Sequence, residues 1–146
     1  MAELTADEQL TLAISIATAA HAGQTDKAGA PYSGHLERVA ARCTDPVVKT
    51  VAWLHDVLED TDVSANDLAT LGISDEVIKA VVLMNRNGAA SPDQYYVDIR
   101  SNPLSLGAKL ADIADNSDPT RLALLPAELQ TRLVAKYTKA LAALID

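Results

Sequence analysis

Residues 51–62, VAWLHDVLEDTD, hold the densest set of groups able to do chemistry: the imidazole of His55 and the carboxylates of Asp56, Glu59 and Asp60. Positions three and four apart share a helix face. On a helix, Val47, Val51, Leu54 and Leu58 therefore form an apolar stripe, and the four polar groups fall on the neighbouring face. Carboxylates crowded at one helix end repel each other unless a cation sits among them or one takes up a proton. Adjacent His and Asp leave a helix about 100° apart, so both can reach one ion, one through a neutral nitrogen and the other through an anionic oxygen. Mn²⁺, Fe²⁺, Co²⁺ and Zn²⁺ accept that mixture, whereas Ca²⁺ and Mg²⁺ prefer oxygen alone. Such an ion lowers the pKa of bound water and neutralises phosphoryl charge, as hydrolysis of a phosphate ester at neutral pH requires. A nearby carboxylate can then accept the proton. The competing reading of the acidic run is a solvated helix end.

A His-Asp pair needs further ligands, and the chain has only three histidines. His35 follows a glycine-rich segment at the opening of a helix, a position from which a side chain can enter a cleft. His21 shares the apolar stripe of the first helix and reads as a core or cleft-wall residue. Asp112 lies late in a helix opened by Pro103, on one face with Lys109, Asp115 and Asn116. The sequence contains no Ser-His-Asp arrangement, dinucleotide glycine fingerprint or Walker loop that would compete for the role.

The elements that must position these groups read as helices throughout. Alanine and leucine dominate and phenylalanine is absent, while glycine and proline fall between periodic segments. Thr5 with Glu8 forms a capping box that opens a helix over 5–22. A loop over 23–34 and a short helix over 35–43 follow. Asp45-Pro46 opens a helix to residue 60. Further helices are expected over 64–71, ending at Gly72, from Ser74 toward Gly88, over 92–101, over 103–116, and over 126–145. Trp53, Tyr95, Tyr96 and Cys43 read as packing residues, and Lys136 and Arg132 as surface residues. There is no repeat, low-complexity tract or linker, so the expectation is one all-α domain over residues 1–146. The apolar fraction, 49%, is that of a globular chain.

The formal net charge of −8 disfavours polynucleotide partners. No run approaches the roughly 18 apolar residues that a bilayer span needs, the first residues are acidic rather than signal-like, and one cysteine makes no internal disulfide. A cytoplasmic protein without a membrane partner is expected. A small anionic substrate would need a local cation, which a bound metal supplies. The alanine- and leucine-rich last helix leaves room for a homo-oligomer.

Three segments together resemble a known family. Residues 19–24, AHAGQ preceded by alanine, followed by KAGAPYSGH at 27–35, look like the first motif of the alarmone hydrolases, the hydrolase domains of Rel/SpoT-type enzymes and their small stand-alone relatives. LHDVLEDT at 54–61 resembles their second motif, and KLAD at 109–112 with Asn116 is similar to their third. The motifs occur in the family's order. The resemblance implies a compact HD-domain helical bundle in which His35, His55, Asp56 and Asp112 bind one divalent ion, usually Mn²⁺. It further implies that Glu59 and Asp60 orient or deprotonate the attacking water, that Lys27 faces phosphate and that Asn116 touches the nucleotide. The implied reaction removes the 3′-pyrophosphate from guanosine tetra- or pentaphosphate.

Departures from the family pattern fall on the nucleotide contacts. Asp26 stands where the family often has an arginine that stacks on the purine, and Ile113 where a basic residue is common; the segment after Asn116 is also less basic. These changes spare the metal site. They leave open another nucleotide or phosphomonoester as substrate, or a non-catalytic nucleotide sensor.

Overall fold

A computed structural model describes residues 3–145. Helix α1 (Ala6–Ala20) starts at Thr5, whose hydroxyl accepts from the Glu8 amide while Glu8 reaches back to the Thr5 amide, the expected capping box. Helix α2 (Tyr32–Ala41) follows a loop pinched by an isolated bridge between Thr25 and Pro31. It begins three residues earlier than the sequence indicates, with Pro31 at its N-cap. His35 therefore sits inside the helix, not at its opening. Gly34 masks that start, although it lies in the first turn, where amides lack intrahelical partners in any case.

The long helix expected over 46–60 is divided. Helix α3 (Pro46–Leu54), capped by Asp45, stops at His55, and a separate turn, α4 (Val57–Asp60), resumes after Asp56. The His55 ring donates its Nδ1–H to the Ala52 carbonyl at 2.6 Å. That carbonyl is the one an unbroken helix would offer to residue 56. Asp56 takes φ −105° and ψ 1°, the sparsely populated bridge region where many active-site residues sit.

The remaining elements are α5 (Ala65–Leu71), α6 (Asp75–Leu83), a 3₁₀ turn at Arg86–Gly88, α7 (Pro92–Arg100), α8 (Pro103–Asn116), α9 (Pro119–Leu122) and α10 (Ala127–Ile145). Helices α5 to α8 and α10 were legible within two residues or so, except that the helix from Ser74 ends at Leu83 and yields to the 3₁₀ turn. Helix α9 was not anticipated. Gly72 closes α5 with φ 111°, a left-handed conformation that favours glycine.

Helix α3 runs through the middle. It packs against α1, α2, α6 and α8, and Thr50, Val51, Ala52, Trp53 and Leu54 are buried in succession. A helix buried on every side is apolar all round, and this one delivers His55 from the centre of the molecule. Helix α8 approaches it closely at Gly107, where an added Cβ would lie 3.1 Å from Val48 Cγ1. Leu36 and Val39 of α2 and Ile113 of α8 complete the packing around α3. Trp53 and Cys43 are buried, and Tyr95 is buried with its hydroxyl donating to the Met84 carbonyl. No helix among the described residues is long and apolar enough to cross a membrane.

Candidate metal centre

Helices α2, α3 and α8 bring His35, His55, Asp56 and Asp112 to one point. His35 Nε2 lies 2.9 Å from Asp112 Oδ1. His55 Nε2 lies 3.1 Å from Asp56 Oδ2 and 3.2 Å from Asp112 Oδ1. The rings of His35 and His55 meet edge-on with centroids 5.7 Å apart. Potential ligand atoms of His35, His55 and Asp56 all lie within 4.8 Å of one another. Four residues spread over 78 positions of sequence thus converge.

The hydrogen-bond pattern decides what this cluster is suited to hold. Because a carbonyl only accepts, the bond to Ala52 puts the hydrogen of His55 on Nδ1. Nε2 is left buried between two carboxylates with no well-directed hydrogen bond. His35 is held the same way from behind, with Nδ1 at 2.7 Å from the Asp115 carboxylate. In a metal site the second ring nitrogen is commonly anchored by such an outer partner, which fixes the tautomer. Two anchored imidazoles and two carboxylates facing one another fit a divalent cation of the Mn²⁺, Fe²⁺ or Zn²⁺ type.

The electrostatics agree. Burial alone would push both imidazoles down, but the carboxylates outweigh it. Asp112 and Asp115 hold His35 up, and Asp56 and Asp112 hold His55 well above its ordinary value. Burial would push the acids up, yet His55 and the Tyr32 hydroxyl bring Asp56 down to about 2. His55, Lys109 and His35 likewise hold Asp112 well below the usual carboxylate range. The clustered carboxylates call for positive charge among them, which the imidazoles or a divalent cation would supply.

Glu59 and Asp60 stand beside the cluster, their carboxylates within 4.8 Å of that of Asp56. Glu59 accepts the Arg86 amide at 2.7 Å. Asp60 is raised by burial and by its neighbours Asp56 and Glu59. His21 lies outside the ligand group and outside the cleft lining, buried behind Tyr32 at a ring distance of 5.0 Å and bonded to Gln24 at 2.8 Å, so it is a core residue.

The cluster opens into a cleft of about 290 Å³. Lys27 lines it, as does Asn116, whose amide donates to Asp112 at 3.0 Å. Lys136, exposed as expected, also lines the cleft; helix α10 folds back so that Lys136 faces Arg86, Lys27 and Lys109. Burial, and then those three cations, push its ammonium down. Arg132 is not part of the lining. Neither Lys27 nor Lys136 makes an ion pair among the described residues, and Leu125, Leu133 and Tyr137 form an apolar wall opposite.

Sequence reasoning missed Tyr32, Arg86, Asp115 and Arg121 as parts of the site. Asp115 had a signal, since it falls one turn after Asp112 on the same helix face. Tyr32, whose hydroxyl donates to Asp56 Oδ2, sits in the first motif but reads locally as a loop residue.

No known family profile matches the chain, and no curated protein does. Among solved structures, a protein described as a metazoan ortholog of SpoT that hydrolyzes ppGpp and plays a role in starvation responses matches with a TM-score of 0.76 and 23% identity, covering 99% of this chain and 89% of that one. The chain has the helical HD-domain fold. That fold brings the second-motif pair His55-Asp56 and the third-motif Asp112 together at the base of a cleft.

Proposed function

We propose that the protein is a metal-dependent phosphohydrolase that removes the 3′-pyrophosphate from guanosine tetra- or pentaphosphate or a related alarmone. The observation that carries this reading is the buried, unpartnered Nε2 of His55 aimed between Asp56 and Asp112, beside Glu59 and Asp60 and at the base of a cleft that carries Lys27, Arg86 and Lys136. The solved SpoT ortholog of the same fold acts on ppGpp by its description, which supports the substrate.

His35, His55, Asp56 and Asp112 would hold one divalent ion, with Mn²⁺ as the favoured identity. Bound there, such an ion supplies an activated water and neutralises phosphoryl charge. Glu59 accepts or orients the water's proton, and Asp60, whose carboxyl is raised by burial and then by its acidic neighbours, shares that proton. Lys27 and Lys136 bind phosphate oxygens, and Asn116 is within reach of the nucleotide while bracing Asp112. The leucine and tyrosine wall excludes water on the side facing the base. The functional unit is taken as one domain over residues 1–146, working in the cytoplasm on a small nucleotide.

Purified protein with Mn²⁺ and ppGpp should release pyrophosphate and leave a nucleoside 5′-diphosphate. Turnover of an adenosine analogue or a phosphomonoester instead would move the substrate within the same reaction class. Binding of ppGpp without turnover at saturating Mn²⁺ would make the protein a sensor.

A further inference from the structure

Asp26, the acidic residue of the first-motif loop, is built into a relay that ends on His35. Its Oδ1 accepts the amides of Ala28 and Ala30 at 2.9 and 3.0 Å, which ties the loop. Its Oδ2 accepts Arg121 Nη2 at 2.9 Å. The other end of the same guanidinium, Nη1, donates to Asp115 Oδ2 at 2.7 Å. That oxygen also accepts His35 Nδ1 at 2.7 Å, while Arg38 Nε holds Asp115 Oδ1 at 3.0 Å. The Asp115 side chain is 1% exposed and that of Asp26 is 9% exposed.

We infer that Asp26 is a positioning residue for the metal centre, acting on His35 through Arg121 and Asp115. The charges require a partner of this sign. One buried carboxylate facing two guanidinium groups carries an excess positive charge, which Asp26 cancels. A guanidinium is a planar fork with fixed donor directions, so an acid gripping one nitrogen sets where the other points. With Arg121 so fixed, Asp115 Oδ2 faces the imidazole, keeps the hydrogen on Nδ1 and leaves Nε2 to the ion. An unbalanced Arg121 would draw charge from Asp115 and weaken its pull on that hydrogen, making His35 a poorer ligand. The departure at position 26 thus joins the substrate loop to the metal centre.

The inference rests on the metal reading above, and the test separates the two. Mn²⁺ affinity is measured without nucleotide, by competition with a fluorescent chelator, for wild type, D26N, R121M, D26N/R121M and D115N. Asparagine at position 26 keeps Oδ1 for the Ala28 and Ala30 amides and replaces the Oδ2 that accepts from Arg121 by an uncharged NH2 donor, so a purely loop-stapling role predicts no change. Loss of an outer partner of a ligating histidine weakens metal binding about 10- to 100-fold, the expectation for D115N. D26N, two links further out, should weaken it on the order of threefold to tenfold. Members of one relay are non-additive, so D26N/R121M should bind Mn²⁺ no worse than R121M alone. Wild-type affinity in D26N with melting unchanged, or full additivity in the double variant, overturns the relay while the metal reading stands. If the wild type takes up no ion, both fall.

Discussion

Metal uptake should be steeply pH-dependent, because the ion must displace protons that the site itself holds in place. In the ion-free protein both nitrogens of His35 face carboxylates, Asp115 at 2.7 Å and Asp112 at 2.9 Å. An ionised carboxylate only accepts, so satisfying both contacts takes an imidazolium. His55 has one nitrogen committed to the Ala52 carbonyl and the other beside Asp56 and Asp112, and it too is held up. Each ligating imidazole must shed its extra proton before it coordinates. One proton displaced changes affinity tenfold per pH unit, about 1.36 kcal/mol, and two change it about a hundredfold.

The sign follows from the direction of the shifts. A histidine raised in the folded state lends stability that is full below its ordinary pKa of about 6.5 and is lost as pH rises through the raised value. The ion-free protein is therefore least helped by these pairs in alkali, which is where Mn²⁺ binds best. Chelator competition between pH 6.5 and 9 should give a plot of log affinity against pH with a slope between one and two at the acid end, flattening in alkali. Calorimetry in buffers of different ionisation heat should show proton release over the same range. Mn²⁺ at a hundred times its dissociation constant should raise Tm by about 5–10 °C for a chain of this size, and at one fixed Mn²⁺ concentration the rise should grow with pH. A flat profile with no proton released would refute the placement of His35 and His55 as ligands held by these acids.

Glu59→Gln should leave Mn²⁺ affinity near wild type and lower kcat about 10²- to 10⁴-fold, since an amide cannot accept the proton; unchanged turnover would remove Glu59 from its role. Asp56→Ala should lose metal and pyrophosphate release together, as elemental analysis of the purified variant would register. Lys27→Ala and Lys136→Ala should each raise KM for ppGpp about 10- to 100-fold, the scale of one charge-assisted hydrogen bond of about 1.5–3 kcal/mol, with metal affinity unaltered.

What could be read from sequence was what local chemistry encodes. The Thr5–Glu8 box, the Asp45-Pro46 and Ser91-Pro92 starts and the Gly72 stop each satisfy a neighbouring backbone group, and each marks a helix end where it was expected. The four converging side chains were legible because their residue types and order carry the chemistry. The break at His55 was not, because it goes with the ring turning back onto the Ala52 carbonyl, where it faces Asp56 and, from α8, Asp112. Asp115 meets His35 across 80 positions, and no local pattern announces that pairing. The same holds for Lys136, whose place in the cleft follows from how α10 folds over α8 and not from the face it shows in isolation.

Net charge and the placing of individual cations are separate matters here, and the second decides what can bind: the cleft sets five basic side chains beside five carboxylates in a chain of −8. A chain of −8 opposes the long-range approach of any polyanion, but at physiological salt charges are screened beyond about 8 Å. Within that distance of the cleft a phosphate meets Lys27 from the first loop, Arg86 from the 3₁₀ turn and Lys136 from α10, three cations brought together from remote segments. Burial first, and then the neighbouring cations Arg86, Lys27 and Lys109, push the Lys136 ammonium down, and an arriving polyphosphate would offset that repulsion as it forms ion pairs. An extended polynucleotide would need a basic stripe beyond the rim, where the surplus of acid lies. A compact molecule with several phosphates on one small body needs only the cleft, which is why the reading of this site favours a nucleotide polyphosphate over a nucleic acid.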